Sequence, residues 1–272
     1  MKEIRKNQQG VTAGPADFYF SKVLEKGVRV LSLFTPETRS LSLKEITLRT
    51  GINSTSAFRF VETFIRLGYL KKDPKSKLIK LGPSALIFSN NVIQSFDMLQ
   101  IIKPLIDEAF EKYNVSIDSG IVEGGRFVNL YRREAKDTLV FKMPITTPHL
   151  HCTAVGKACL SWLPDSARDR ILDGLIYTPR TPFSLTSRAA VLEDLRKTRE
   201  RGYSINNQEY LVGLICLGAP FLNGEGTVLG AVSFDVSTVQ YSLKEAEKRF
   251  AKEVVKLAQD MRPMLPAGNS RD

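Results

Sequence analysis

Histidine, cysteine and tryptophan are scarce in this sequence, whose 272 residues include two His, three Cys and one Trp. Cys152, Cys159 and Cys216 are odd in number and form no Cys-x-x-Cys pair, which argues against a disulfide framework. Both histidines fall in His149-x-His151-Cys152. That run offers three donors where a closed zinc site wants four in spaced pairs. A Cys–His nucleophile would also need an orienting third group that the sequence does not display. The expectation is therefore no metal, no cofactor and no catalytic residue. Gly156-Lys157 lacks the upstream glycine of a phosphate-binding loop, so Lys157 is expected to pack or pair at a helix start. No run approaches the ~18 consecutive apolar residues of a membrane span. The N-terminal MKEIRKNQQG has charge but no apolar core, which excludes a signal peptide. A cytoplasmic chain with no membrane partner is expected.

Acidic residues are also in deficit, with 29 Asp and Glu against 39 Lys and Arg. The imbalance is local. Residues 1–90 hold 16 basic and 7 acidic side chains, whereas 91–272 hold 23 and 22. A basic excess confined to one third of a chain is the footprint of a polyanion partner, or the solvated face of a charged domain.

The pattern beneath that charge favours the first reading. Apolar residues recur at helical spacing from Asp17 to Phe34, with Phe20, Val23, Leu24, Val28 and Leu31 on one stripe and Asp17 as N-cap. Ser42 and Glu45 form a capping box for a helix from Leu43 to Thr50, which Gly51 ends. A third helix follows Asn53-Ser54-Thr55-Ser56, packs Ala57, Val61, Phe64 and Ile65 inward, and stops at Gly68. Ser54 reads as its N-cap. Two short helices about a Gly-containing turn make a helix-turn-helix, whose second helix enters the major groove N-terminus first. There Ser54, Thr55 and Ser56 can approach phosphate or base edges, and Arg59 reaches a guanine edge or a phosphate unless it is a plain surface Arg. Tyr69 to Lys72 and Leu78 to Leu81 read as strands about the turn Asp73-Pro74-Lys75-Ser76. This basic wing would set Lys72, Lys75 and Lys77 along the backbone of double-stranded DNA.

The run Gly51-Ile52-Asn53-Ser54-Thr55-Ser56-Ala57-Phe58-Arg59, then Gly68-Tyr69-Leu70 and Leu81-Gly82, resembles the DNA-binding domain of the IclR family of bacterial transcriptional regulators. The resemblance implies DNA contacts from Ser54, Thr55, Ser56, Phe58 and Arg59. It implies a linker helix from Ser84 to about Asp97, with Leu86, Ile87, Val92 and Ile93 as a dimerising stripe. It continues through His151-Cys152-Thr153-Ala154-Val155-Gly156-Lys157-Ala158, Arg201-Gly202-Tyr203 and Gln208-Glu209 to Val212–Pro220. Downstream, alternating strands and helices, including one strand over Thr138 to Met143, predict an α+β layer domain. In this family that domain is GAF-like and binds a small molecule. Carried over position by position, its pocket is lined by Ala154, Val155, Asn206, Leu214, Cys216, Ser233 and Asp235. Asn206 stands where members that sense small 2-oxo acids have an acid, and Asp235 where they have a small hydroxyl. An added carboxylate at Asp235 would repel an acidic ligand unless Lys or Arg sits nearby.

The expected organisation is a disordered arm (1–16), a winged helix-turn-helix (17–83), a linker helix (84–97) and an effector-binding domain (98–272). The expected function is effector-modulated regulation of transcription, as repressor or activator. The partners implied are an operator, a small organic acid and further copies of the chain in a homodimer or homotetramer. Two alternatives compete: a metal- or Cys-dependent enzyme with an accessory basic domain, and a nonspecific architectural DNA binder.

Overall fold

A computed structural model describes residues 20–35, 37–95, 97–136 and 144–262. The N-terminal arm, Asp17 and the strand expected over Thr138 to Met143 lie outside the described residues. Contacts divide the chain into two units, the first ending at Ser95.

The first unit begins with α1 (Lys22–Leu31), α2 (Leu43–Thr50) and α3 (Ser54–Arg66). The first helix is shorter than its apolar stripe, because Ser21 caps it by accepting the Leu24 N–H and the chain turns at Ser32. Only the end of the expected stripe, Leu31 and Phe34, packs into the core. Gly27 and Val30 point into the core, where the Phe60 and Phe64 rings lie against Gly27, whereas Val23, Leu24 and Val28 stay exposed. The capping box of α2 forms as expected, with Ser42 and Glu45 satisfying each other's backbone N–H and Gly51 left-handed at φ 68°. At α3 the cap is Asn53, whose Oδ1 accepts the Ser56 N–H at 2.8 Å. Ser54 is the first helical residue instead, which leaves its hydroxyl exposed.

The wing pairs β1 (Leu70–Lys72) with β2 (Ile79–Leu81), and Leu41 adds a third rung through two hydrogen bonds to Ile79. The wing is followed at once by α4 (Pro83–Ser95). The Gly-Tyr-Leu and Leu-Gly signatures meet here. A Cβ on Gly82 would lie 2.2 Å from the Gly68 carbonyl oxygen, so glycine is what lets the wing close on the end of α3.

The second unit is a six-stranded antiparallel sheet in the order β5-β4-β3-β8-β7-β6. Its strands are β3 (Ser116–Glu123), β4 (Arg126–Arg133), β5 (Thr146–Thr147), β6 (Ser204–Asn207), β7 (Leu214–Leu222) and β8 (Val228–Ser237). Gly124 and Gly125, both at positive φ, turn the first hairpin. One face packs Ile117, Leu217, Phe221 and Phe234 against α5 (Asp97–Tyr113) and α9 (Leu243–Met261), with Ile106, Phe250 and Val254 at the centre. The other face packs Phe127 and Ala231 against α6 (Ala154–Trp162), α7 (Asp165–Gly174) and α8 (Arg188–Arg201). Burying both faces explains why β7 and β8 are almost continuously apolar instead of alternating.

Candidate nucleic-acid interface and effector cavity

Asn53 holds the start of α3 in helical register, so the exposed side chains of Ser54, Thr55, Phe58 and Arg59 project from one end of that helix, with Ser56 half-buried beside them. Ala57 and Val61 anchor the opposite side in the core. Among the described residues no carboxylate pairs with Arg59, which leaves its five N–H donors available to a base edge or phosphate. In the wing, Asp73 Oδ1 accepts the Lys75 and Ser76 N–H groups at 3.0 and 2.7 Å, and Lys77 adopts φ 61° to complete the turn. Lys72, Lys75 and Lys77 are all exposed. The register adds a pair that the spacing alone did not single out, because Lys71 and Lys80 face each other across the two strands. Like charges directly opposite destabilise a sheet, and a phosphate backbone would relieve that repulsion.

The second site is built where α6 begins. Thr153 caps the helix, its Oγ1 accepting the Gly156 N–H and its carbonyl the Lys157 N–H. The Ala154 and Val155 N–H groups belong to the first turn and have no partner within the helix. The helix end is drawn close to the sheet because Gly218 has no side chain. A Cβ there would lie 2.9 Å from the Ala154 carbonyl, and the Ser204 hydroxyl donates to that same carbonyl at 2.6 Å. Ala154, Val155, Asn206, Leu214, Cys216, Ser233 and Asp235 all line one narrow cavity of only about 10 Å³, together with Asp118, Thr153 and Tyr210. Little of that space is wide enough for a water molecule, so any effector has to displace side chains.

Two buried charge clusters shape the cavity. Asp118 on β3 pairs with Arg132 on β4 and accepts from Asn129 Nδ2 at 2.7 Å, while Asp235 Oδ2 lies 3.8 Å from Arg132 Nη1. Arg132 thus answers the repulsion expected of Asp235. Burial drives the Asp235 carboxyl well above the usual carboxylate range, and the adjacent Asp118 charge and a hydrogen bond to it push the same way, against Arg132. A protonated Asp235 accepts from Ser233 Oγ at 2.9 Å and can also donate. On the other side, the fully buried Lys157 Nζ lies 2.7 and 2.9 Å from the Glu209 oxygens and 2.9 Å from Asp194. The pairing expected of Lys157 is therefore present. Asn206 Oδ1 accepts the Glu209 N–H at 2.8 Å, which ties the cavity wall to that pair. Asp118 and Tyr210 had no signal in the sequence, since both enter the cavity through pairing and loop geometry.

The thiols are unsuited to nucleophilic chemistry. Burial pushes Cys152 and Cys159 up to about 12 and Cys216 well above its ordinary value, whereas a nucleophilic cysteine needs its thiolate.

Comparison with known proteins gives these two sites a family. The IclR helix-turn-helix domain matches residues 23–74, and the bacterial transcriptional regulator IclR C-terminal domain matches 90–262. The HTH-type transcriptional regulator XynR of Escherichia coli is 27% identical over 230 residues, covering 82% of this chain and 88% of XynR. The crystal structure of an IclR family transcriptional regulator from Brucella abortus superposes with a TM-score of 0.78 at 23% identity, over 94% of this chain and 98% of that one. An IclR homologue from Microbacterium hydrocarbonoxydans, complexed with 4-hydroxybenzoate, gives a TM-score of 0.72 at 18% identity, over 88% and 98% of the two chains. None of these is named as an enzyme, and the enzyme alternative finds no support among them. The chain is a DNA-binding regulator of transcription with a C-terminal effector domain, and it belongs to the IclR family.

Proposed function

We propose that this regulator reads a near-palindromic operator through Ser54, Thr55, Ser56, Phe58 and Arg59, and follows its phosphates with Lys72, Lys75 and Lys77. The exposed N-terminus of α3 and Arg59, which has no carboxylate partner among the described residues, support this reading. Arg59→Ala should weaken operator binding by about 1–3 kcal/mol and relax specificity at one base pair. Competition gel shifts decide it: weaker binding at an unchanged specificity ratio would make Arg59 a phosphate contact.

The effector is a small organic acid whose carboxylate meets the Ala154 and Val155 N–H groups, with Asn206, Leu214, Cys216, Ser233 and Asp235 lining the remainder. The observation that carries this reading is the convergence of all seven side chains on one cavity at a helix N-terminus. With Asp118 balanced by Arg132 and Asp235 protonated, the cavity floor carries no net charge against an anion. The Microbacterium homologue's 4-hydroxybenzoate is of the same class. A thermal-shift series on the full chain with 4-hydroxybenzoate and other small carboxylic acids tests it. Ligand at a hundredfold over Kd should add about 2.7 kcal/mol of stability. Stabilisation by neutral or cationic compounds but by no acid would reject the acid reading.

The working assembly is a cytoplasmic homodimer or a homotetramer made of two dimers, held in part by the linker helix. On α4, Leu86, Ile87 and Val92 are 73%, 60% and 47% exposed, and such apolar faces mark association surfaces; the side chain of Ile93 lies outside the described residues. Ile87→Asp is expected to shift sedimentation toward monomer, whereas a variant still dimeric at micromolar concentration would remove the linker stripe from the interface. The effector would act by binding the DNA-competent and incompetent arrangements unequally.

A further inference from the structure

Directly before α6, residues Leu150–Cys152 form a single 3-10 turn. The turn folds His149, His151 and Cys152 onto one point, with a donor atom from each within 4.8 Å of the others. His151 is completely buried, and among the described residues neither of its ring nitrogens has a hydrogen-bond partner. A neutral imidazole carries one donor and one acceptor, and burying both unmet is costly enough that most proteins avoid it. Its ring instead lies edge-on to His149 and Tyr177, with centroids 6.0 and 5.5 Å away. A neutral ring keeps one of its two nitrogens as a lone pair.

We propose that His149, His151 and Cys152 form a binding site for a divalent transition ion of the zinc class. Two imidazoles and a thiolate are the ligands that such borderline ions select over calcium or magnesium. Three protein donors leave a fourth position, which water fills in open tetrahedral sites. Access is available on one side, because the half-buried His149 also lines a cleft of about 760 Å³ with Pro148, Ile176 and Thr178. Tetrahedral donors at ~2.0–2.3 Å from an ion stand closer together than 4.8 Å, so the ring of His149 would turn inward on binding. Cys152 Sγ, which now donates to the His149 carbonyl at 3.7 Å, exchanges its proton for the metal–sulfur bond and releases that proton to solvent. The site ends two residues before Ala154, so an ion there would fix the turn from which the effector cavity's helix starts.

The sequence counted these donors and set them aside for want of a fourth. Only the fold shows that His151 has no other partner among the described residues. The test is cobalt(II) added to metal-free, reduced full-length protein, followed by zinc competition. One equivalent per chain should bind and give a thiolate-to-cobalt charge-transfer band that zinc abolishes. Cys152→Ser should lose the band, and His149→Ala should weaken zinc binding by about tenfold or more. Because the parent protein gives the band without any substitution, misfolding of a variant cannot decide the outcome. No stoichiometric binding to the parent, binding without a thiolate band, or a band that survives in Cys152→Ser would each overturn the site.

Discussion

Replacing Lys157 with Met should destabilise the effector domain by about 3–5 kcal/mol, the cost of removing one partner from a buried ion pair. Lys157 is fully buried and holds Glu209 and Asp194, whose side chains are 11% and 22% exposed. Burial already drives the Glu209 carboxyl above its ordinary range, against the pull of Lys157. Without the ammonium, Glu209 would be left facing Asp194, which among the described residues retains only Arg201 at 3.6 Å. The loss should be largely recovered by adding Glu209→Gln and Asp194→Asn, which remove the stranded charges. Trp162, the chain's single tryptophan, sits on α6, so fluorescence-detected urea unfolding reports this domain directly. A loss below about 1 kcal/mol would mean that water reaches the pair. The same substitution should blunt the effector response, because Asn206 is positioned through the Glu209 backbone.

The second large effect concerns Asp118, Arg132 and Asp235. Arg132→Met strands a carboxylate that is 1% exposed at Asp118 and should cost a comparable ~3–5 kcal/mol. Asp235→Asn should behave oppositely. The folded state raises the Asp235 pKa, so the proton stays bound at a pH where the unfolded chain, with a value near 3.9, has released it. Folded protein then binds more protons than unfolded, and stability falls as pH rises above about 4, by up to ~1.4 kcal/mol per pH unit until the folded value is passed. A neutral amide removes that slope. The variant should therefore match its parent near pH 4 and exceed it at pH 8. Parallel pH profiles for the two, or a loss at pH 8 as large as that of Arg132→Met, would show that Asp235 is ionised in the folded protein.

Much of the first unit was legible because its signals are local. A serine and a glutamate three apart, a glycine where a left-handed residue is needed, and a Pro-containing turn between two short strands each act within a few residues. What escaped depends on distance. The apolar stripe of α1 gave its period but not its direction, since only the seating of Phe60 and Phe64 on Gly27 decides which side is buried. Ser54 and Asn53 are both good caps, and one residue of register chose between them. In the second unit β6 went unseen, since Ser204-Ile205-Asn206-Asn207 has the composition of a loop and becomes a strand only by pairing with β7. The lining of the effector cavity was reached through family resemblance, position by position. Asp118 and Arg132 lie in no shared motif and meet only because β3 and β4 pair in that register.

The central claim is that this chain recognises a particular DNA sequence. Selection of bound duplexes from a random pool by the full-length protein, followed by competition at fixed salt, tests it most directly. The account predicts an enriched near-palindrome with half-site centres one helical turn apart, bound roughly 10³-fold or more tighter than random duplex. No enrichment after repeated selection, or affinity indifferent to sequence and set by salt alone, would contradict it.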